Sequence, residues 1–303
     1  MYILNYISLF ILFINFPFSQ IEFNFNSHLS ATVSIHQYFP DLIVDEYGGI
    51  HIVWVEQTDN SKNVFYSNSF DNGLTFSDKI QVNMVNGHVV AFGGAGPRIR
   101  YYNQKIYVIW ADSRNGYNNT SIYLRRSSNN GVSWIDDFAI SDQPYFQLYG
   151  DMEIDDEGVL HFTYYNYQSN LHFSDVRYAK LYLNGMMLQE SIQVGVTNDS
   201  AEPCDCCSPD IEVSPEGDVY IAYRNNINNI RDHYITKKML NESDFSPPVP
   251  IANLNDEIGF CPSSSPSVSV QGDIIGAVGM HYSGEGVFLT YGNTDNLEFQ
   301  EIN

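Results

Sequence analysis

The apolar positions of this chain fall into short, strand-length runs separated by polar or glycine-bearing turns, and the runs recur at a near-constant interval. Five segments open alike: Pro40-Asp41-Leu42-Ile43-Val44, Pro97-Arg98-Ile99-Arg100, Gly150-Asp151-Met152-Glu153-Ile154, Pro209-Asp210-Ile211-Glu212-Val213 and Pro266-Ser267-Val268-Ser269-Val270. Their starts lie 57, 53, 59 and 57 residues apart. A polar turn follows each, such as Asp45 to Gly49 or Asp155 to Gly158, and then a second apolar run: Ile50 to Val55, Lys105 to Ala111, Val159 to Tyr165, Val219 to Tyr223, Ile274 to Met280. Third and fourth strands come next. No stretch keeps a helical period. Four antiparallel strands per unit of about 50 residues predict an all-β fold, a β-propeller of four-stranded antiparallel blades. A β-sandwich would not sustain such a period.

Between the third and fourth strands stands a recurring turn. Ser69-Phe70-Asp71-Asn72-Gly73-Leu74-Thr75-Phe76 and Ser127-Ser128-Asn129-Asn130-Gly131-Val132-Ser133-Trp134 share the template Ser-x-Asp/Asn-x-Gly-x-x-aromatic. A short polar side chain, a Gly and then an aromatic describe a turn pinned by its own side chains. The template, carried by Ser69, Asp71, Gly73 and Phe76 and again by Ser127, Asn129, Gly131 and Trp134, resembles the Asp box of the sialidase-like, bacterial-neuraminidase-repeat β-propellers. The resemblance spans roughly residues 36 to 303 and implies six blades, of which five are visible.

In a blade the second strand returns antiparallel to the first. Residues before strand one and after strand two therefore share one face, the channel mouth, and the pinned turns lie on the opposite face. The mouth gathers Glu56, Asp112, Arg114, Asn166, Arg224, Asn225, Arg231, His281 and Tyr282 after second strands, and His36, Tyr145, Tyr149 and the cysteines before first strands. Loops on a rigid scaffold are where sites sit. Two readings of this face follow. Asn166, Asn225, His281 and Tyr282 suit ligand recognition of a glycan or small anion, with no bond broken. The family resemblance implies instead a sialidase-like exo-glycosidase, in which Arg114, Arg224 and Arg231 bind a substrate carboxylate, Tyr223 or Tyr282 acts as nucleophile beside Glu56, and Asp112 or Asp41 serves as acid. The Arg-Ile-Pro motif that supplies the family's first Arg is missing from the stretch Gln37-Tyr38-Phe39-Pro40.

All four cysteines, Cys204, Cys206, Cys207 and Cys261, precede first strands of adjacent units. Cys204 and Cys261 each lie five residues before a repeat's Pro, and His36 four before another. Equal phase on neighbouring blades means proximity. An exported chain with an even cysteine count forms disulfides, and a bridge from Cys261 to Cys206 or Cys207 across blades is expected. The alternative is a thiolate–imidazole metal set drawn from the cysteines and His36. No cofactor is otherwise called for.

Residues 1–19 form an uncharged apolar run ending at Ser19, which predicts an export signal, with the propeller over 20–303 and a secreted, periplasmic or cell-surface location. No later stretch is long and apolar enough to span a bilayer. With 14 Lys and Arg against 36 Asp and Glu, the net charge of −22 disfavours nucleic acid as a partner.

Overall fold

The computed structural model describes residues 35–59, 61–142, 144–168, 173–195, 201–282 and 286–301. The expected export signal, and nearly all of the stretch Ile21 to Ile35, fall outside them. Five antiparallel sheets follow one another along the chain, each built as the repeat predicts. Blade 1 orders His36–Val44, Ile50–Thr58, Ser61–Ser69 and Ile80–Gln81. In blade 2 the strands Val89–Val90 and Arg98–Tyr102 both pair with Lys105–Asp112, and Ser121–Ser127 and Phe138–Ala139 lie outside it. Blade 3 runs Phe146–Ile154, Val159–Gln168, Phe173–Tyr182 and Met187–Leu188, with Ile192–Val194 also on the third strand. Blade 4 has Ala201–Pro203 and Asp210–Val213 end to end along Val219–Ile227, then His233–Lys238 and Val249–Pro250. Blade 5 is Ser267–Gln271, Ile274–His281, Gly286–Asn293 and Phe299–Glu301.

The first strands start earlier than the Pro and Gly landmarks suggest. In blade 1 the pairing slips between Tyr38 and Asp41, and in blade 3 between Leu148 and Asp151. In blades 2 and 4 the strand is cut in two at the same place. Proline has no N–H for the ladder, so Pro40, Pro97 and Pro209 mark this break rather than the strand's beginning. Phe39 and Tyr149, at the two slips, both adopt φ 56°.

The residue after the break links neighbouring blades. Asp41 accepts the backbone N–H of Ile99 (2.9 Å), Asp151 that of Ile211 (3.2 Å) and Asp210 that of Val268 (2.8 Å). In blade 2 the position holds Arg98, whose Nε donates to Asp151 at 3.0 Å. In blades 1 to 4 each side chain latches onto the next inner strand, which gives the Pro/Gly-Asp of blades 1, 3 and 4 its use. The inner strands accordingly pack in sequence, blade 1 on 2, 2 on 3, 3 on 4 and 4 on 5.

Second strands of blades 2 to 4 are buried on both faces because each of these blades is sandwiched between two others. Trp110, Ile106, Ile109, Tyr164, Phe162 and Ile221 are almost wholly enclosed, and burying each large apolar side chain contributes about 1.5–3 kcal/mol. At the two ends of the blade series the pattern reverses. Leu42 and Val44 of blade 1 and Val287, Leu289 and Tyr291 of blade 5 are exposed. Among the described residues no helix is long and apolar enough to cross a membrane.

Candidate functional site

The chain places one polar side chain at the end of each second strand, and in blades 1 to 4 that side chain is buried: Glu56, Asp112, Asn166 and Arg224. Each is held largely inside its own blade. Glu56 accepts from Lys79 Nζ (2.5 Å), Trp54 Nε1 (3.0 Å) and Gln37 Nε2 (2.8 Å). Burial works against its ionisation, but these donors hold its carboxyl below the usual range. Asp112 accepts from Trp110 Nε1 (3.0 Å) and from Arg114 (2.7 Å), and Arg114 also grips Asp137 (2.6 Å) and lies over the Tyr123 ring at 4.0 Å. Asn166 donates to Asp175 Oδ1 (2.8 Å), which Arg177 contacts at 3.2 Å on its other oxygen. Burial raises the Asp175 carboxyl.

Arg224 is fully buried. It donates to the Arg231 carbonyl (2.8 Å), the Met280 carbonyl (2.7 Å) and His233 Nε2 (2.7 Å), with Asp256 at 3.6 Å. Burial, and then the Arg224 charge, push His233 down to about 3, so the ring is the neutral acceptor of that hydrogen bond. Arg224 Nε has no partner among the described residues.

Arg224 and Arg231 share one corner of blade 4, whereas Arg114, Asp112 and Glu56 are bonded within blades 2 and 1. Tyr223 is buried, and its hydroxyl has no hydrogen-bond partner among the described residues. Asn225 is buried behind the same corner, with its N–H on the Asp232 carbonyl (3.0 Å). His281 closes the second strand of blade 5 half-buried. Tyr282 is 42% exposed and donates its N–H to Asp256 at 2.8 Å.

The cysteines do converge. Cys206 and Cys261 form a disulfide across blades 4 and 5. Cys204 and Cys207, also expected in disulfides, are free and buried. They sit three residues apart in one tight turn, Cys207 N–H to Cys204 carbonyl 3.3 Å, with Cys206 directed across to Cys261. The Cys204 and Cys207 sulfurs are 3.8 Å apart, and Arg231 Nη1 lies 3.1 Å from Cys204 Sγ. The Cys207 S–H and then Arg231 hold Cys204 down to about 6, while that hydrogen bond and burial push Cys207 up. His36 is exposed at the start of blade 1 and is not part of this sulfur cluster.

Around the mouth the expected Tyr282 and Tyr149 are joined by two rings that carry no sequence signal, Phe260 and Phe92. Phe260 and Tyr282 meet edge-on at 4.9 Å, and Phe92 meets Tyr149 at 6.2 Å. Phe260, Tyr282, Phe92 and Tyr145 are all at least 36% exposed.

On the opposite face both repeated turns hold themselves together. Ser69 Oγ donates to Asp71 (2.8 Å) and accepts from Gly73 N–H (2.9 Å), and Asp71 accepts from Thr75 N–H (2.8 Å). Ser127, Asn129, Gly131 and Ser133 repeat this set, and Trp134 Nε1 donates to the Gly131 carbonyl (2.9 Å). Phe76 is half-buried. Two trios unforeseen in the sequence support this end: Asp45–His51–Tyr66 and Asp155–His161–Tyr178, each with a ring nitrogen 2.7 Å from the tyrosine oxygen. Their Asp sits in the first turn, so the trio ties turn to second and third strands. A cleft of about 460 Å³ between blades 3 and 4, lined by Lys180, Tyr182, Lys238 and Glu242, also lies here.

No protein-family model matches the chain, and no curated protein sequence matches it significantly. Solved structures do. An alpha-L-arabinanase of Penicillium chrysogenum complexed with arabinobiose superposes with a TM-score of 0.56 at 12% identity, over 88% of this chain and 80% of that one. The chain has the fold of the sialidase and arabinanase β-propellers. The Hadza microbial sialidase Hz136 gives 0.60 at 13% identity, over 87% of this propeller and 57% of the sialidase. An ulvan lyase of polysaccharide lyase family 25 gives 0.59 at 10% identity, over 87% and 69%. At such identities the likeness is one of architecture, and the propeller's chemistry rests on its own residues.

Proposed function

We propose that this propeller is an exported glycan-binding protein whose ligand lies on the aromatic rim of the mouth. The exposed pair Phe260 and Tyr282 carries the reading. Aromatic faces stack on the apolar faces of sugar rings, while a polar rim bonds the hydroxyls. Three structural neighbours act on carbohydrates by their names, which supports the same class of ligand. Recognition is favoured over hydrolysis because Glu56, Asp112 and Arg114 are already saturated by partners inside their blades. The sialidase-like alternative needs Arg114, Arg224 and Arg231 on one substrate carboxylate, and Arg114 is bonded to Asp112 and Asp137 instead.

A glycan array followed by calorimetry on the best hit tests this. Phe260→Ala and Tyr282→Ala each weaken binding by about tenfold, the value of roughly one good stacking contact. Undiminished binding in the double variant, or turnover of sialosides, arabinan or ulvan oligosaccharides by the wild type, overturns it.

A further inference from the structure

Three cysteine sulfurs, those of Cys204, Cys206 and Cys207, meet at the mouth between blades 4 and 5, and Cys261 is bonded to one of them. Cys204 Sγ lies 3.7 Å from Cys206 Sγ and 3.8 Å from Cys207 Sγ, and Cys206 Sγ lies 4.0 Å from Cys207 Sγ. A tetrahedral zinc–thiolate centre with bonds of about 2.3 Å has sulfur–sulfur edges of about 3.8 Å. Three sulfurs thus outline one face of such a tetrahedron, and the Cys261 sulfur, bonded to Cys206 and outside that trio, is freed as a fourth ligand when the disulfide is reduced. We infer that the four cysteines are a binding site for one soft d10 cation, zinc(II) or copper(I), and that the Cys206–Cys261 disulfide is the oxidised, metal-free form of that site.

The surroundings suit a thiolate centre. Cys204, Cys206 and Cys207 are all buried, as in closed metal sites. Arg231 donates to Cys204 Sγ, and the backbone N–H groups of Cys206 and Ser264 face the sulfurs of Cys204 and Cys207. Such outer donors orient thiolates and spread their charge. Four thiolates on a divalent ion leave two negative charges; Arg231 brings a positive charge directly to Cys204 Sγ, and the enclosed Arg224, ion-paired with Asp256 at 3.6 Å, lies at the same corner. Thiolate softness selects zinc or copper(I) over magnesium or calcium.

The switch between forms needs a thiol or phosphine reductant. With a dithiol, one thiolate attacks the exposed Cys261 sulfur. The electron pair of the broken bond leaves on Cys206 Sγ. The second thiol then displaces Cys261 as a thiolate, and the reductant departs as its own disulfide. Metal binding afterwards releases the remaining thiol protons.

The test uses the full chain, purified under nitrogen with a phosphine reductant, and cobalt(II) as the spectroscopic probe for zinc. The reduced chain is expected to take up one cobalt with sulfur-to-cobalt charge-transfer absorption and the intense visible bands of a tetrahedral ion. Zinc, or copper(I) in competition with a chromogenic chelator, then displaces it. The oxidised chain binds at least about tenfold more weakly. Cys204→Ser and Cys207→Ser each weaken cobalt binding and lower the charge-transfer intensity per bound cobalt by about a quarter, as loss of one of four thiolates does. Arg231→Gln keeps the stoichiometry but weakens binding by about 10–100-fold, as loss of an outer donor does. A reduced, folded wild type (circular dichroism as the check) that binds none of the three cations overturns the inference. So does a double Cys204→Ser, Cys207→Ser variant that binds as tightly as wild type, or equal affinity in the oxidised and reduced chains. The glycan array is independent of all these readouts.

Discussion

The ring of Trp134 meets the ring of Tyr66 edge-on, centroids 5.3 Å apart, and the two residues belong to different blades. The Tyr66 hydroxyl and Asn68 Nδ2 add hydrogen bonds to the Asn130 carbonyl at 3.2 and 2.8 Å. The repeated turn of blade 2 is therefore a clamp on blade 1, and its counterpart in blade 4 does the same through Phe245 against Tyr178 at 5.2 Å.

Gly73 and Gly131 hold the same place in the template, with φ of 81° and 82°, yet substitution separates them. A Cβ on Gly73 touches only Ile50 Cδ1 at 3.5 Å, whereas one on Gly131 drives into the Tyr66 ring. Gly73→Ala should cost about 1 kcal/mol, the left-handed backbone penalty alone. Gly131→Ala should cost about 2–4 kcal/mol as the clamp is displaced too. Urea unfolding of the two variants measures the difference, and equal losses would refute the clamp.

Arg114 is a structural tie. Arg114→Ala leaves the buried carboxylates of Asp112 and Asp137 facing each other without a cation, at a cost of about 2–4 kcal/mol in urea unfolding. Glycan affinity of the folded protein should not change. A stable Arg114→Ala variant that has lost its ligand would return this residue to the binding face.

Asp210 supplies a pH signature. Burial, and then the Asp151 charge, raise its carboxyl to about 8, with Arg98 and the Val268 N–H opposing and Glu212 adding to the rise. The folded chain thus holds a proton that the unfolded chain loses near pH 4. The sign follows: this contribution is full below about pH 4 and is lost as the pH climbs to about 8. Asp210→Asn keeps an acceptor for Val268 and carries no charge. It should melt about 2–4 °C above wild type at pH 8 and level with it at pH 4. The same difference at both pH values would rule the assignment out.

Thiol counting checks the cysteine corner. The denatured, unreduced chain should release two equivalents of thiol, from Cys204 and Cys207, and the native chain should react far more slowly because both are buried. Four equivalents without reductant would contradict the Cys206–Cys261 pairing, and none would contradict the free Cys204 and Cys207.

The blades were legible because their signals are local. A Pro or Gly and a polar turn shortly after repeat in all five units, and a carboxylate one residue after the Pro or Gly in three of them, Asp41, Asp151 and Asp210. What those signals do was harder to see. Asp41, Asp151 and Asp210 bond backbone that lies 58 or 60 residues further along the chain. The partners of Glu56 and Arg114, namely Lys79 and Asp137, sit on connections beyond the third strand, where no periodicity points back to them. Residues that resemble an exposed catalytic ring in sequence are for that reason interior ties in space. The cysteines were legible as a cluster because their phase relative to the repeat is shared, but phase does not say which sulfur faces which. The rim residues Phe92 and Phe260 carry no motif, and only their exposure singles them out.

The carboxylate hooks between inner strands bear on how the molecule comes apart. Opening one blade strands the amide of the next, so neighbours share the penalty of a local excursion. Amide exchange at Ile99, Ile211 and Val268 should then report one common, global opening energy, and heat should melt the five sheets in a single cooperative transition.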